Sequence, residues 1–388
     1  MHQKDELARI VEQLNRARPG ADPAEAREPS ERVLERSGAL REILSGALQR
    51  QASDVLLIAD SPVCARVHGR LETLPGPQLT AAEIRALVEP LLTPRHWREL
   101  QQQRSIDLGF TDPGAGRARV NLHFQRGGLV ASIRLLPGRV PTFESLNLPP
   151  ALERLADRRQ GLILVTGATG CGKSSTLAAF VNSINTRRCE HIITIEDPIE
   201  FQHQNRMSVV EQIEVGSDTP GFAVCLRSIL RQSPDVILVG EMRDCETVET
   251  VLRIAETGHL ALSTLHTNDA TQAISRIIDS FPSTQQPQIR QQLSLALHAV
   301  VCQQLVPGAG GNARYPALEI MTATDAVRNL IRKSEDHQLY SQLSISRAEG
   351  MRTMEQSLAE LVFSRRITSE TALAHCFRAE SMRRYLAG

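Results

Sequence analysis

The sequence predicts an α/β protein: a mostly parallel sheet with helices on both faces, preceded by a small α+β module and followed by a helical tail. Three observations carry this prediction. Gly167, Ala168, Thr169, Gly170, Cys171, Gly172, Lys173 and Ser174 spell G-x-x-x-x-G-K-[ST] between the apolar run Leu162 to Val165 and a helical stretch from Ser174 to Asn185. Aliphatic strands at 162–166, 192–195, 236–240 and 260–265 alternate with helical segments, the pattern of parallel strands joined by crossovers. Upstream, short strand-like runs separated by glycine-rich turns replace that alternation.

Along the chain, Leu7, Ile10, Val11 and Leu14 share one helical face, and Pro19, Pro23 and Pro29 follow it, so residues 1–36 are expected to be a flexible extension. Residues 37–136 are the α+β module. Leu40, Ile43, Leu44 and Leu48 give a helix. Strands are expected at 54–58, 63–67, 71–74, 107–110, 118–124 and 129–136. Thr80 with Glu83 has the form of a capping box opening a helix. Pro137, Pro141, Pro149 and Pro150 mark 137–150 as an interdomain linker. The alternating core then runs over 151–305, and 306–388 is expected to be helical, with segments near 324–335, 353–364 and 368–386.

Composition narrows the function classes. Lys+Arg and Asp+Glu are 44 each and aromatics are 3%. That leaves no basic excess for a phosphate backbone and few stacking platforms, so no nucleic-acid partner is expected. The seven cysteines include no C-x-x-C pair, which argues against a disulfide framework and a zinc ribbon. The N-terminus is charged throughout, and no apolar run approaches the length of a membrane span, so a cytoplasmic location is expected.

The chemistry concentrates after the predicted strands. In the octapeptide the glycines let backbone N–H groups fold around phosphate oxygens, and the helix dipole adds positive potential. Lys173 is placed to reach the β- and γ-phosphates of a nucleoside triphosphate, and Ser174 to hold Mg²⁺, with Ser175 next to it. Asp235 to Glu241 is an aliphatic run ending in a carboxylate, the form of a Walker B strand, with Gly240 where many ATPases carry aspartate. Glu241 can orient the attacking water or hold Mg²⁺ through water. Glu196, Asp197 and Glu200 follow a second strand. The division of labour between the clusters stays open: Glu241 is favoured as the acid/base, Glu196 is its rival, and Glu200 is read as a surface or capping residue. His259 and His266 bracket the strand 260–265 and are read together as sensors of the γ-phosphate. Arginines 119, 126, 134, 227, 231, 243 and 276 are candidates for a finger that neutralises transferring phosphate.

Four stretches occur in one order: Gly167 to Ser174, Thr194 to Phe201, Leu230 to Asp244, and Ala255 to Thr267. Together they resemble the Walker A, Asp box, Walker B and His box of the secretion ATPase superfamily. The run Ala326 to Arg332, together with Gly350 to Met354, is similar to the tail of the PilT-type pilus retraction ATPases. Ala168, Cys171 and Ser175 depart from that group's usual P-loop, and Cys171 is read as a thiol whose modification would block the site. The resemblance implies a RecA-like ATPase domain behind a PAS-like module. It implies a homohexamer that hydrolyses ATP with Mg²⁺ to drive pilus retraction and twitching motility, hinged at the 137–150 linker. It implies partnership with an inner-membrane platform protein and with a paralogous pilus ATPase, without zinc. An extension or type II secretion ATPase, or an accessory retraction paralogue, is the alternative; a nucleic-acid translocase fits the composition poorly.

Overall fold

The structure is a computed structural model that describes residues 38–387 apart from 68, 69, 113, 137 and 312. The extension expected over 1–36 lies outside the described residues. The chain divides into two compact units, Met1–Leu136 and Pro137–Gly388.

In the first unit, a helix α1 (Gly38–Gln49) precedes strands β1 (Ala52–Leu57), β2 (Cys64–Val67) and β3 (Arg70–Thr73). Helices α2 (Ala81–Val88) and α3 (Pro94–Gln103) follow, then β4 (Ser105–Asp112), β5 (Gly116–Gln125) and β6 (Gly128–Leu135). The six strands pair antiparallel in the order β3-β2-β1-β6-β5-β4. Alternate residues of β5 (Ala118, Val120, Leu122) are buried with Leu40 and Leu44 of α1 and Ile84 and Val88 of α2 in one core. The expected capping box forms: the Thr80 hydroxyl accepts from the Glu83 N–H at 3.2 Å, and Glu83 accepts from the Thr80 N–H at 2.7 Å.

In the second unit, a short helix α4 (Pro150–Glu153) leads into β7 (Gly161–Thr166), α5 (Lys173–Arg187), β8 (His191–Glu196) and β9 (Val209–Glu214). Then come α6 (Phe222–Ile229), β10 (Val236–Val239), α7 (Cys245–Glu256), β11 (Leu260–Leu265), α8 (Ala270–Asp279) and α9 (Gln286–Ala296). Strands β12 (Leu297–Pro307) and β13 (Arg314–Thr322) close the sheet, ordered β13-β12-β7-β11-β10-β8-β9. All its pairings are parallel except β12 with β13. Every residue of β7 is buried, and the side chains alternate between the two layers. Leu162 and Leu164 pack under α7 to α9, while Ile163 and Val165 pack with Leu177, Phe180 and Ile184 of α5. A strand covered on both faces reads as a continuous apolar run, which is why β7 was visible in the sequence.

Two expected boundaries differ from the structure. The region expected to be helical from 306 begins with sheet: β13 pairs with β12 from Ala299–Thr322 to Pro307–Arg314. Helices α10 (Asp325–Arg332), α11 (Leu339–Ile345), α12 (Met354–Phe363), α13 (Ser369–His375) and α14 (Ala379–Ala387) come only after it. The 137–150 stretch is not a free connector from Pro141 on. Phe143 and Leu148 are buried against α5, and the Phe143 ring meets Phe180 edge-on at 4.9 Å.

Candidate nucleotide site

Parallel strands β7, β11, β10 and β8 lie side by side, so their carboxyl ends form one edge, where open α/β sheets place their ligands. The P-loop leaves β7 there. Glu196 ends β8, Glu241 follows β10 by two residues, and His266 follows β11 directly. Four polar clusters far apart in sequence therefore meet through sheet order alone.

The loop is built for an anion. Gly167, Gly170 and Gly172 take φ of 138°, 78° and 95°, conformations that side chains rarely adopt. At Gly167 a Cβ would come within 2.3 Å of the Gln303 carbonyl oxygen, so only glycine fits. Helix α5 starts at Lys173 with Gly172 as N-cap and no side-chain cap, leaving the first-turn N–H groups to an incoming oxyanion. Lys173 is buried, and its ammonium donates to the Gly167 carbonyl at 2.8 Å and the Ala168 carbonyl at 3.1 Å. Burial pulls its pKa down, and the opposing Cys171, Glu241 and Glu200 charges pull it up. An uncapped helix start beside a buried cation is the donor set a polyphosphate needs.

A chain of contacts runs from that lysine across the edge. Lys173 Nζ lies 3.5 Å from His266 Nδ1, and His266 Nε2 lies 3.3 Å from Glu241 Oε1. An ammonium can only donate, so Nδ1 accepts and the imidazole proton sits on Nε2, facing the carboxylate. Glu241 Oε2 accepts from Arg243 Nε at 2.8 Å, and Arg243 Nη1 reaches Asp197 at 3.8 Å. Gly240 sits where β10 passes β8: a Cβ there would stand 3.2 Å from the Ile195 carbonyl oxygen. Any side chain there would crowd the β8 backbone.

Glu196 has a different environment. Its Oε1 accepts from the Thr194 hydroxyl at 2.7 Å and from Gln212 Nε2 at 3.2 Å. Burial outweighs those bonds and pushes its pKa up to about 7. Glu200, read as a surface residue, carries charge that acts on both Glu196 and Lys173, which places it at this edge.

Not every expected residue joins the site. His259 precedes β11, and its carbonyl accepts from the Gly161 N–H at 3.0 Å, at the start of β7. It therefore lies at the opposite edge of the sheet from the P-loop, and its ring contacts Thr257 Oγ1 and the Ile254 carbonyl, each at 3.1 Å. Two residues bracketing a parallel strand are held at opposite edges. Cys171 is 6% exposed and burial pushes its thiol pKa up, so it is a poor nucleophile and not the reactive thiol expected. Of the candidate arginines, Arg243 stands in the cluster. Arg134 pairs with Asp54 at 3.0 Å, Arg119 with Asp107 at 3.4 Å, and Arg227 with Glu246.

Gln303 of β12 is a residue the sequence reading missed. Its Nε2 donates to the Cys171 carbonyl at 2.7 Å and its Oε1 accepts from the Thr176 hydroxyl at 2.7 Å. One buried amide thus fastens the P-loop to the helix that follows it. The lone signal was a polar pair, Gln303 and Gln304, inside an apolar strand.

A family model described as Type II/IV secretion system protein matches residues 33–315. The chain belongs to this family. Within the secretion ATPase family, it is 41% identical over 333 residues to the Type IV pilus retractation ATPase PilT of Pseudomonas aeruginosa, covering 86% of this chain and 96% of that one. It is 43% identical over 317 residues to the twitching motility protein of Neisseria gonorrhoeae, covering 82% and 85%. A crystal structure of the pilus retraction motor PilT with bound ADP superposes with a TM-score of 0.83 at 43% identity, over 89% of this chain and 99% of that one. The DotB ATPase of Legionella pneumophila superposes with a TM-score of 0.75 at 26% identity, over 87% and 95%. This member of the secretion ATPase family is a nucleotide-binding P-loop ATPase.

Proposed function

We propose that this chain is the ATP-driven motor of type IV pilus retraction, working as a homohexamer at an inner-membrane platform protein. The observation that carries the reading is the pairing of this edge, with its Lys173–His266–Glu241 chain and separate Glu196, with relatives named for pilus retraction and twitching motility along most of their length. Among the described residues no helix is long and apolar enough to cross a membrane, so the motor would reach the membrane through partners.

The residues divide the work by environment. The P-loop N–H groups and Lys173 hold the phosphates and neutralise charge as the γ-phosphoryl departs. Lys173 must release the Gly167 and Ala168 carbonyls to do so, and the phosphate oxygens replace them. His266 lies between Lys173 and Glu241, where its Nε2 proton fixes the carboxylate and its ring can sense the γ-phosphate. Hard oxygen donors suit Mg²⁺, and the Ser174 hydroxyl and the Glu241 carboxylate are the groups that would hold it; the ion would offset charge on the phosphates. Glu196, with a pKa near ambient pH, is the better general base for water. Glu241 is tied to Arg243 and His266 and serves to orient and polarise. A neighbouring subunit would supply any arginine finger.

A second reading has its own observation. The chain is 39% identical over 336 residues to the Type IV pilus ATPase PilU of Pseudomonas aeruginosa, the organism that also carries the PilT relative, so an ATPase acting beside a main retraction motor fits as well. Deletion of the gene separates the readings from an extension motor. Hyperpiliated, non-twitching cells support a retraction motor, piliated cells with weakened twitching support the accessory, and cells without pili refute both.

A further inference from the structure

The second unit carries another cluster of cations at the edge of the sheet opposite the P-loop. A cavity of about 250 Å³ opens at the foot of β7, lined by Arg158, Arg159, Arg328 and His298 together with Gly161 and Leu295 among others. No carboxylate lines it, although the chain as a whole balances 44 basic residues with 44 acidic ones.

Three features make this more than a basic patch. First, among the described residues the side chains of Arg158 and Arg159 have no ion-pair or hydrogen-bond partner. Second, Arg328 is fixed in place: its Nε donates to the Ala323 carbonyl at 2.9 Å, and its Nη1 to the Leu295 carbonyl at 2.7 Å and to the Ser294 carbonyl. Third, His298 Nε2 is buried without a hydrogen-bond partner. Burial and then the charges of Arg158 and Arg328 bring the His298 pKa down to about 4, so the cavity holds a positive potential and a neutral imidazole. A buried polar atom without a partner, among guanidinium groups that make no ion pair although the Asp325 charge reaches Arg328, is the environment of an anion site.

We propose that this cavity binds a phosphate-type oxyanion at a site distinct from the nucleotide site. Guanidinium groups match the oxygens of a tetrahedral dianion with paired N–H donors. The cavity's position gives the site a route to the motor. Gly161 is the first residue of the strand whose other end is the P-loop, and Arg328 belongs to α10. A bound anion would tie the 158–161 segment to the start of β12 and to α10.

Calorimetry on the full chain saturated with Mg-ADP, at constant ionic strength, tests the site with inorganic phosphate and with glycerol 3-phosphate. Saturable binding of about one anion per chain is expected, weakened at least tenfold in Arg158→Ala/Arg159→Ala and abolished by Arg159→Glu. It should persist in Arg70→Ala, an exposed arginine in the first unit. Tighter binding of the ester assigns a phosphomonoester, and equal binding assigns the free ion. Absence of saturable heat with either probe, or equal affinity in the double alanine variant, overturns the site.

Discussion

Replacing Glu196 with glutamine separates stability from catalysis at one atom pair. In the fold the carboxyl titrates at about 7 rather than 4.5, because burial opposes its charge more than Thr194 and Gln212 support it. The folded pKa is raised, so the native state gives up stability as pH climbs from 4.5 through 7. Ionising Glu196 then costs on the order of 3 kcal/mol by linkage, less what relaxation and water recover. Both donors bond the same oxygen, Oε1, so glutamine can keep them through its one carbonyl oxygen, and it never ionises. Glu196→Gln should therefore match the wild type in thermal stability near pH 5 and exceed it near pH 8, by roughly 5 °C for a unit of this size. The same variant should lose the acid limb of kcat/KM for ATP near pH 7 and retain little turnover, since its base is gone. Differential scanning calorimetry across pH 5–8 with a parallel ATPase profile makes the comparison. A Tm difference that does not change with pH would refute the burial argument, and full turnover would refute the assignment as base.

Three further outcomes follow from the site. Lys173→Ala removes the buried cation and should abolish ATP binding, read by equilibrium binding of labelled nucleotide; unimpaired affinity would remove the P-loop assignment. Glu241→Gln should still bind ATP but turn over about 10²-fold more slowly, because it removes the charge and leaves one oxygen to accept from either Arg243 or His266; single-turnover kinetics show the split. Gln303→Ala strands the Thr176 hydroxyl and the Cys171 carbonyl, and should cost about 2–4 kcal/mol of stability in denaturant unfolding and raise KM for ATP; a loss below about 0.5 kcal/mol would mean that the P-loop does not depend on it.

The P-loop was legible because its chemistry is backbone chemistry. Its glycine spacing, the strand before it and the helix after it are contiguous in sequence. The acids Glu196 and Glu241 and the imidazole of His266 were legible as residues at strand ends, since a parallel sheet brings those ends to one edge. The same rule should have rejected His259. A strand of six residues spans roughly 20 Å, so the residues bracketing it cannot share one phosphate. Gln303 was hidden because its partners, Cys171 and Thr176, are more than a hundred residues away and only β12 pairing beside β7 brings them together. The different characters of Glu196 and Glu241 were hidden for a related reason. Burial that outweighs the Thr194 and Gln212 hydrogen bonds on one side, and pairing with Arg243 and His266 on the other, are tertiary facts. The prolines of 137–150 read as a connector, but the weight of Phe143 in the core outvoted them. β13 escaped notice because the glycine-rich loop before it looked like a domain end, whereas it is the turn of a hairpin that extends the sheet.

The account is tested most directly by watching single labelled pili in a strain that lacks this gene, complemented with the wild-type chain or with Lys173→Ala. Retraction events should return with the wild type and stay absent with the variant, at equal protein levels. Retraction that continues without the gene, or that Lys173→Ala restores, would contradict an ATP-driven retraction motor.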